Sequence, residues 1–288
     1  MLRDDLRAGR FQHVSWVEQT GSTNADLAKT AVADPTVAKV LFADEQTAGR
    51  GRLDRSWEMA AGGGLMVSFF VPWSDAPTGH LVPIALGVAA AESIGATGRS
   101  VGLKWPNDIV ATGEDEIVAN GERDIVANGE RDIVANGERE IVANGETAGK
   151  KLGGMLSASV VIDGSTKGVV AGLGCNISWP PADYAELPDA TSLNRLADAP
   201  VEPESLAADL IAGFDSELTG LQELGPEWLL SRYRTRCVTL GQHVRVEVAG
   251  EQIEGRATDI DPSGTLLVEV DGRQRKVAVG DVIHLRSA

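Results

Sequence analysis

The chain has 288 residues, 43% of them hydrophobic and 24% charged, a composition that suits one large globular domain followed by a small one. Its formal charge of −16 argues against a broad nucleic-acid-binding surface and against binding to anionic lipid. No run of about eighteen uninterrupted apolar residues and no apolar leader occurs, so neither a membrane span nor a signal peptide is expected, and two cysteines, Cys175 and Cys237, fit a reducing, cytoplasmic compartment without a disulfide.

In chain order, Ser22 or Thr23 is placed to cap a helix over Thr23–Ala33. A strand is expected at Val40–Ala43. Ala60-Ala61-Gly62-Gly63-Gly64 then reads as a turn into a strand at Leu65–Val71. A helical run, Gly79–Gly95, precedes a strand at Val101–Trp105. Long strand-like runs, Leu152–Ile162 and Gly168–Ile177, are followed by helices at Glu204–Leu221 and Pro226–Arg236, each with a proline where a helix start tolerates one. After Cys237 five short strands, near 243–248, 251–260, 264–270, 273–279 and 282–286, alternate with Gly and Asp-Gly turns. That spacing reads as a small β-barrel, with a domain boundary near 236–240.

Between Asp108 and Lys150 lies an internal repeat. Octads beginning at Glu116, Asp124, Asp132 and Glu140 occupy 116–147 and carry eight acidic residues and three arginines. A period of eight is far too short for a helical solenoid. Each Asn-Gly favours a tight hairpin turn, whereas the small apolar content of each octad favours an acidic loop. A loop or a weak hairpin extension without chemistry of its own is the expectation.

Five clusters carry candidate chemistry. Gln46-Thr47-Ala48-Gly49-Arg50-Gly51-Arg52-Leu53-Asp54-Arg55-Ser56-Trp57 is a cationic, glycine-bearing loop on an acidic protein. Glycine lets backbone approach a ligand, and arginine forks match phosphate or carboxylate oxygens. Gly21-Ser22-Thr23-Asn24 is a helix cap or a polar ligand cradle. Lys104-Trp105-Pro106-Asn107-Asp108 is a plain strand exit or a cation, amide and carboxylate set around a ligand. Lys150-Lys151-Leu152-Gly153-Gly154-Met155 and Gly172-Leu173-Gly174-Cys175-Asn176 put glycines inside strands, where they mark a bulge or close ligand approach. The histidines are scattered without metal spacing, and there is neither a P-loop nor a Gly-x-Ser-x-Gly elbow. Jointly, a strand-borne lysine and loop arginines would stabilise an anion that gains charge during reaction. Activation of a carboxylate by ATP has that requirement.

The ordered motifs Ser22-Thr23-Asn24, Gln46-x-x-Gly-Arg-Gly-Arg, Arg55-x-Trp57, Lys104-Trp-Pro-Asn-Asp, Lys151-Leu-Gly-Gly and Gly172-x-Gly-x-Asn resemble those of the biotin–protein ligases. The resemblance spans roughly residues 15–180, and the small β-domain after it is similar to the family's SH3-like cap. It implies an α+β fold, a class II synthetase-like catalytic domain with a mixed, largely antiparallel sheet over 1–236, and an SH3-like barrel over 237–288. It implies biotin and ATP as substrates with Mg²⁺, and a biotin carboxyl carrier protein as partner.

By the same resemblance Ser22, Thr23, Asn24, Gln46, Gly49, Arg50, Gly51, Arg52, Lys151, Gly154 and Gly172 would contact biotin. Arg52, Arg55, Trp57, Lys104, Asn107 and Asn176 would serve the nucleotide. Arg50, Lys151 and Asp108 would carry the chemistry, with Asp108 also a candidate for magnesium. Some family members carry an N-terminal winged helix. The short stretch before Ser22 and the acidic charge lead here to the expectation of a monofunctional type that binds neither DNA nor membrane, its oligomeric state unspecified. Lipoate ligation on the same fold and a non-catalytic biotin sensor are the competing readings.

Overall fold

The computed structural model describes residues 3–59, 61–73, 78–113, 124–127, 130–133, 147–179, 187–197, 199–248, 251–278 and 281–284. Fourteen strands and four α-helices are described: β1 His13–Thr20, α1 Thr23–Ala33, β2 Lys39–Gln46, β3 Gly64–Pro72, α2 Val82–Ala96, β4 Val101–Lys104, β5 Asp108–Ala111, β6 Asp124–Ala127, β7 Glu130–Ile133, β8 Lys151–Ile162, β9 Ser165–Asn176, α3 Pro203–Leu224, α4 Pro226–Arg236, β10 His243–Val248, β11 Glu251–Ile260, β12 Leu266–Val270, β13 Arg273–Val277 and β14 Asp281–His284.

Seven strands form one mixed sheet in the order β1-β2-β3-β9-β8-β5-β4. Only β1 and β2 run parallel, joined through α1; the other pairings are antiparallel. The largely antiparallel expectation therefore holds. One face of the sheet is covered by α2 and α3, where Phe11, Phe69 and Phe214 pack edge-on and stacked at centroid separations of 4.9–5.6 Å. On the other face α1 sets Leu27 and Ala31 against Phe70, Val160 and Val170. Because side chains alternate along a strand, the residues in register with Phe70 and Val170 on this second face include Ser68 and Gly172. Beyond the end of α1 that face is left open, and there the site forms.

The helix expectations for Thr23–Ala33 and Pro226–Arg236 match the observed bounds. Gly79–Gly95 resolves into a 3-10 turn, Gly79–Leu81, followed by α2. Residues Gly79–Ala96 are long and apolar enough to cross a membrane, although no uninterrupted apolar run marks them; 61% of the stretch is buried inside the fold. Burial on both faces is what a core helix requires. Two strands have no clear sequence signal. β1 alternates only weakly, and β5 begins at Asp108, which reads as turn chemistry.

The repeat region lies largely outside the described residues, including its Asn-Gly dipeptides. Within it β6 and β7 pair antiparallel, Asp124 opposite Ile133 and Ala127 opposite Glu130, as a hairpin reading expects. The stems of the insertion meet at its base: Ala111 N–H donates to Lys150 O at 2.9 Å, and Gly149 N–H to Ala111 O at 2.8 Å.

The C-terminal strands form a separate antiparallel sheet in the order β13-β12-β11-β10-β14. Among the described residues β13 and β14 stand at its two edges and do not pair, so the sheet is open where a barrel was expected. The expected strand ends at 279 and at 285–286 fall outside the described residues.

Candidate functional site

A pocket of about 140 Å³, open to solvent, lies on the second face. Its lining includes Ser22, Thr23, Asn24, Gln46, Arg50, Gly51, Arg52, Arg55, Trp57, Asn107, Asp108, Lys151, Gly154 and Gly172. All but three of the residues singled out from sequence therefore converge here from distant stretches of chain. Gly49, Lys104 and Asn176 do not line it.

The floor is built from glycines in register. Gly154 on β8 faces Gly174 on β9, and Gly172 faces Ser68 on β3. At each of the three floor glycines, Gly154, Gly172 and Gly174, a side chain lies close to where a Cβ would be. Asn24 covers Gly172, the Trp57 indole lies 2.6 Å from the Cβ position of Gly174, and Lys151 Nζ lies 3.3 Å from that of Gly154. Any larger residue at Gly172 or Gly174 would have to displace its neighbour.

At one end the groups are neutral and polar. Gln46 Oε1 accepts from Thr23 N–H at 2.8 Å and from Thr23 Oγ1 at 3.0 Å. Asn24 Nδ2 donates to Leu156 O at 3.0 Å. Ser68 Oγ lies 2.6 Å from Asn24 Oδ1 and 2.7 Å from Thr23 Oγ1. A hydroxyl carries one proton, and the amide oxygen can only accept, so when both contacts are kept Ser68 donates to Asn24 and Thr23 Oγ1 donates to Ser68, leaving the Thr23 N–H as the donor to Gln46. Ser22 stands at the N-cap position but makes no side-chain capping bond. Ser22 thus caps α1 by position and through its backbone carbonyl, and its side chain is at the pocket wall.

The other end is cationic. Arg50, Arg52, Arg55 and Lys151 line the pocket against a single carboxylate, Asp108. The arginine loop is a small hairpin. Gly51 N–H donates to Arg55 O at 2.7 Å, Trp57 N–H to Gly49 O at 3.0 Å, and Arg50 bridges Ser56. At its tip Leu53 adopts φ 54° and is 65% exposed. Arg52 donates to Asn107 Oδ1 at 3.1 Å, and Asn107 Nδ2 donates to Met155 O at 2.9 Å. Asn107 thus ties the loop to β8. Lys151 Nζ meets Asp108 Oδ1 at 2.6 Å and sits 5.6 Å from the Trp57 ring centroid, over its face.

Asn176 is buried, 2% exposed, and donates through Nδ2 to Thr191 O at 3.0 Å. It organises the segment whose Asp189 O accepts Lys151 N–H at 2.8 Å. Trp57 Nε1 and Asn176 Oδ1 are buried polar atoms without a hydrogen-bond partner among the described residues. Native folds seldom leave such groups unpaired away from functional sites. No group of three potential metal-ligating His, Cys, Asp or Glu side chains occurs among the described residues.

Residues 16–176 match the Biotin/lipoate A/B protein ligase family, more than half of the chain. The chain belongs to that family, an enzyme family of ligases. Residues 239–285 match the Biotin protein ligase C terminal domain, which places it among the biotin protein ligases. The biotin–[acetyl-CoA-carboxylase] ligase of Mycobacterium tuberculosis is 33% identical over 99% of this chain and 94% of its own length. The bifunctional ligase/repressor BirA of Bacillus subtilis is 24% identical over 94% of this chain and 74% of that protein. In fold, the Aquifex aeolicus biotin protein ligase in complex with biotin and ATP superposes with a TM-score of 0.69 at 21% identity, covering 96% of this chain and all of that one. The Leishmania major enzyme in complex with biotinyl-5-AMP gives 0.56 at 22% identity, covering 96% and 99%.

Sequence reading missed Ser68, Met155, Leu156 and Gly174 as lining residues of the pocket. Ser68 had a legible signal, being the lone hydroxyl in the otherwise apolar strand Gly64–Pro72. Gly174 lay inside a quoted motif, but only the docked indole explains it.

Proposed function

We propose that the chain activates biotin with Mg-ATP to biotinyl-5′-AMP and then transfers biotin to a lysine of a biotin carboxyl carrier domain. The convergence of four cations and one carboxylate beside a neutral, hydrogen-bonding end is the observation that carries this reading. The structural neighbours in complex with biotin and ATP, and with biotinyl-5-AMP, support it.

In the first half-reaction a biotin carboxylate oxygen attacks the α-phosphorus, and the bond to the β-phosphate oxygen breaks, releasing pyrophosphate. Lys151 and the loop arginines supply fixed positive charge where negative charge builds on phosphoryl oxygens, which is the largest contribution such a site makes. Ser22, Thr23, Asn24 and Gln46 hold the ureido end, where hydroxyls and amides match its donors and acceptor. The bound nucleotide displaces the Asp108 contact of Lys151 and frees that lysine for phosphate oxygens. In the second half-reaction the neutral carrier lysine amine attacks the acyl carbon, the bond to AMP breaks with AMP leaving as the phosphate anion, and the proton lost from the amine passes to the Asp108 carboxylate. Asp108 is the lining residue that would face the magnesium of Mg-ATP. One carboxylate in the lining suits an ion held mainly by phosphates and water. Arg55 and Trp57 serve the adenine side.

Residues 1–236 form the catalytic unit and 237–288 the SH3-like cap in this reading, in a cytoplasmic setting that suits two buried free thiols. Incubation with biotin, Mg-ATP and a carrier domain, read by mass spectrometry, is expected to add one biotin to one carrier lysine. A chain that modifies carrier only with lipoate, in a competition of the two acids, would overturn the substrate assignment.

A further inference from the structure

We infer, on the ligase reading proposed above, that Thr239, backed by His284, is a positioning residue that sets the adenylating site from the C-terminal sheet. β4 is the last strand of the catalytic sheet, so its outer backbone groups need partners. The linker between the two sheets supplies them. Val238 N–H donates to Leu103 O at 3.0 Å, and Leu103 bridges Cys237 in parallel. At the next residue but one the side chain takes over, and Trp105 N–H donates to Thr239 Oγ1 at 2.9 Å. The far end of the same tryptophan is held too, Nε1 donating to Gly264 O at 3.1 Å. Trp105 is therefore gripped at its backbone by the linker and at its ring tip by the turn between β11 and β12.

The turn after Trp105 carries the site's polar ties. Asn107 holds Arg52 and β8, and Asp108 holds Lys151. A shift of Trp105 is passed within three residues to Asp108, the ion-pair partner of Lys151. Thr239 is fully buried. Its oxygen accepts the Trp105 N–H, and the hydroxyl also meets His284 Nε2 at 3.3 Å, as donor or acceptor according to the imidazole tautomer. Burial, with the charge of Lys104 second, lowers the His284 pKa to about 4, so the ring is neutral at neutral pH. The three groups make a hydrogen-bonded chain, Trp105 N–H, Thr239 and His284, between the two sheets. It gives Lys104, which does not line the pocket, a place in the same joint.

Catalytic constellations tolerate displacements of only about 0.5 Å, and misplacement by about 1 Å can cost on the order of a hundredfold in rate. Thr239→Val keeps the shape and removes the hydroxyl, Thr239→Ser restores it, and His284→Gln changes the group behind it. In the full chain, Thr239→Val is expected to lower kcat for biotinyl-adenylate formation by about tenfold or more. KM for biotin should stay within about twofold, because Ser22–Asn24 and Gln46 lie at the other end of the pocket, and Thr239→Ser should recover most of the rate. His284→Gln should give a smaller loss.

Hydrogen exchange supplies a readout independent of activity. Amides in 104–109 and 153–156 should exchange faster in Thr239→Val than in the unsubstituted chain, with distant strands unaltered. Unchanged kcat and exchange, or a rate loss that Thr239→Ser does not restore, overturns the inference. If Thr239→Val does not fold, His284→Gln and Thr239→Ser are compared by the same two measurements, and equality of His284→Gln with the unsubstituted chain in both overturns it. An unsubstituted chain that forms no adenylate overturns the functional reading instead, and the exchange comparison still decides whether Thr239 holds the turn.

Discussion

Lys151 owes its direction to one extra residue. Ile109 pairs with Gly153 but Val110 with Lys151, so Leu152 is bulged out of the β5–β8 ladder. A bulge shifts the side-chain phase by one, which lets Lys151 share the pocket face with Gly154 while Leu152 stays fully buried. Replacement by alanine removes the one strand-borne cation of the pocket lining, and adenylate formation should fall by about 10²–10³-fold; a ³²P assay showing a near-normal rate would falsify the assignment. Gly174→Val puts methyl groups into the Trp57 indole. KM for ATP should rise several-fold with KM for biotin little changed, as steady-state kinetics with each substrate varied would show. His284 makes a stability prediction. Its pKa is about 4 in the fold against 6.5 as the reference value. The unfolded chain therefore binds the extra proton between these limits. Stability should be full above about pH 6.5 and fall as pH drops toward 4, by a total of order 2–3 kcal/mol. Urea titrations across that window, compared with His284→Gln, would read the difference.

At the scale of elements, α2, α3 and α4 are locked by charge as well as apolar contact. Glu217 is 2% exposed and accepts from Arg232 at 2.8–3.1 Å, while Glu92 takes Arg232 and Arg236. Burial raises the Glu217 pKa against the pull of Arg232. Removing one partner of such a pair strands the other. Glu217→Ala should destabilise by about 3 kcal/mol, seen as a lower urea midpoint with an unchanged slope. The arginine loop shows the limit of element-level reading. Its residue types announced an anion site, but its hairpin closure and the Arg52–Asn107 tie depend on strands far along the chain.

For the whole molecule, the repeat insertion is a test of modularity. Its stems are closed by Ala111, Gly149 and Lys150 one residue before Lys151, and long surface insertions add little closure entropy. Deletion of 116–147 should leave turnover within about threefold; a larger change would assign the octads a part in catalysis. The seven-stranded sheet was only partly legible. Its central strands were readable because β3, β8 and β9 are long and apolar. β1 and β5 were not, because weak alternation and a turn-like start hide them until their partners are known.

The sequence by itself determined the chemistry on offer: the order of the motifs, the cations and the glycines. These are local properties, set by residue type and spacing. Tertiary structure alone decided the rest. It showed which motif residues share one pocket, that Ser22 makes no side-chain cap bond, that Asn107 and Asn176 hold neighbouring segments, and that Lys104 does not line the pocket. Strand register and a single bulge made those choices, and register arises from pairings between residues distant in the chain that no local pattern encodes.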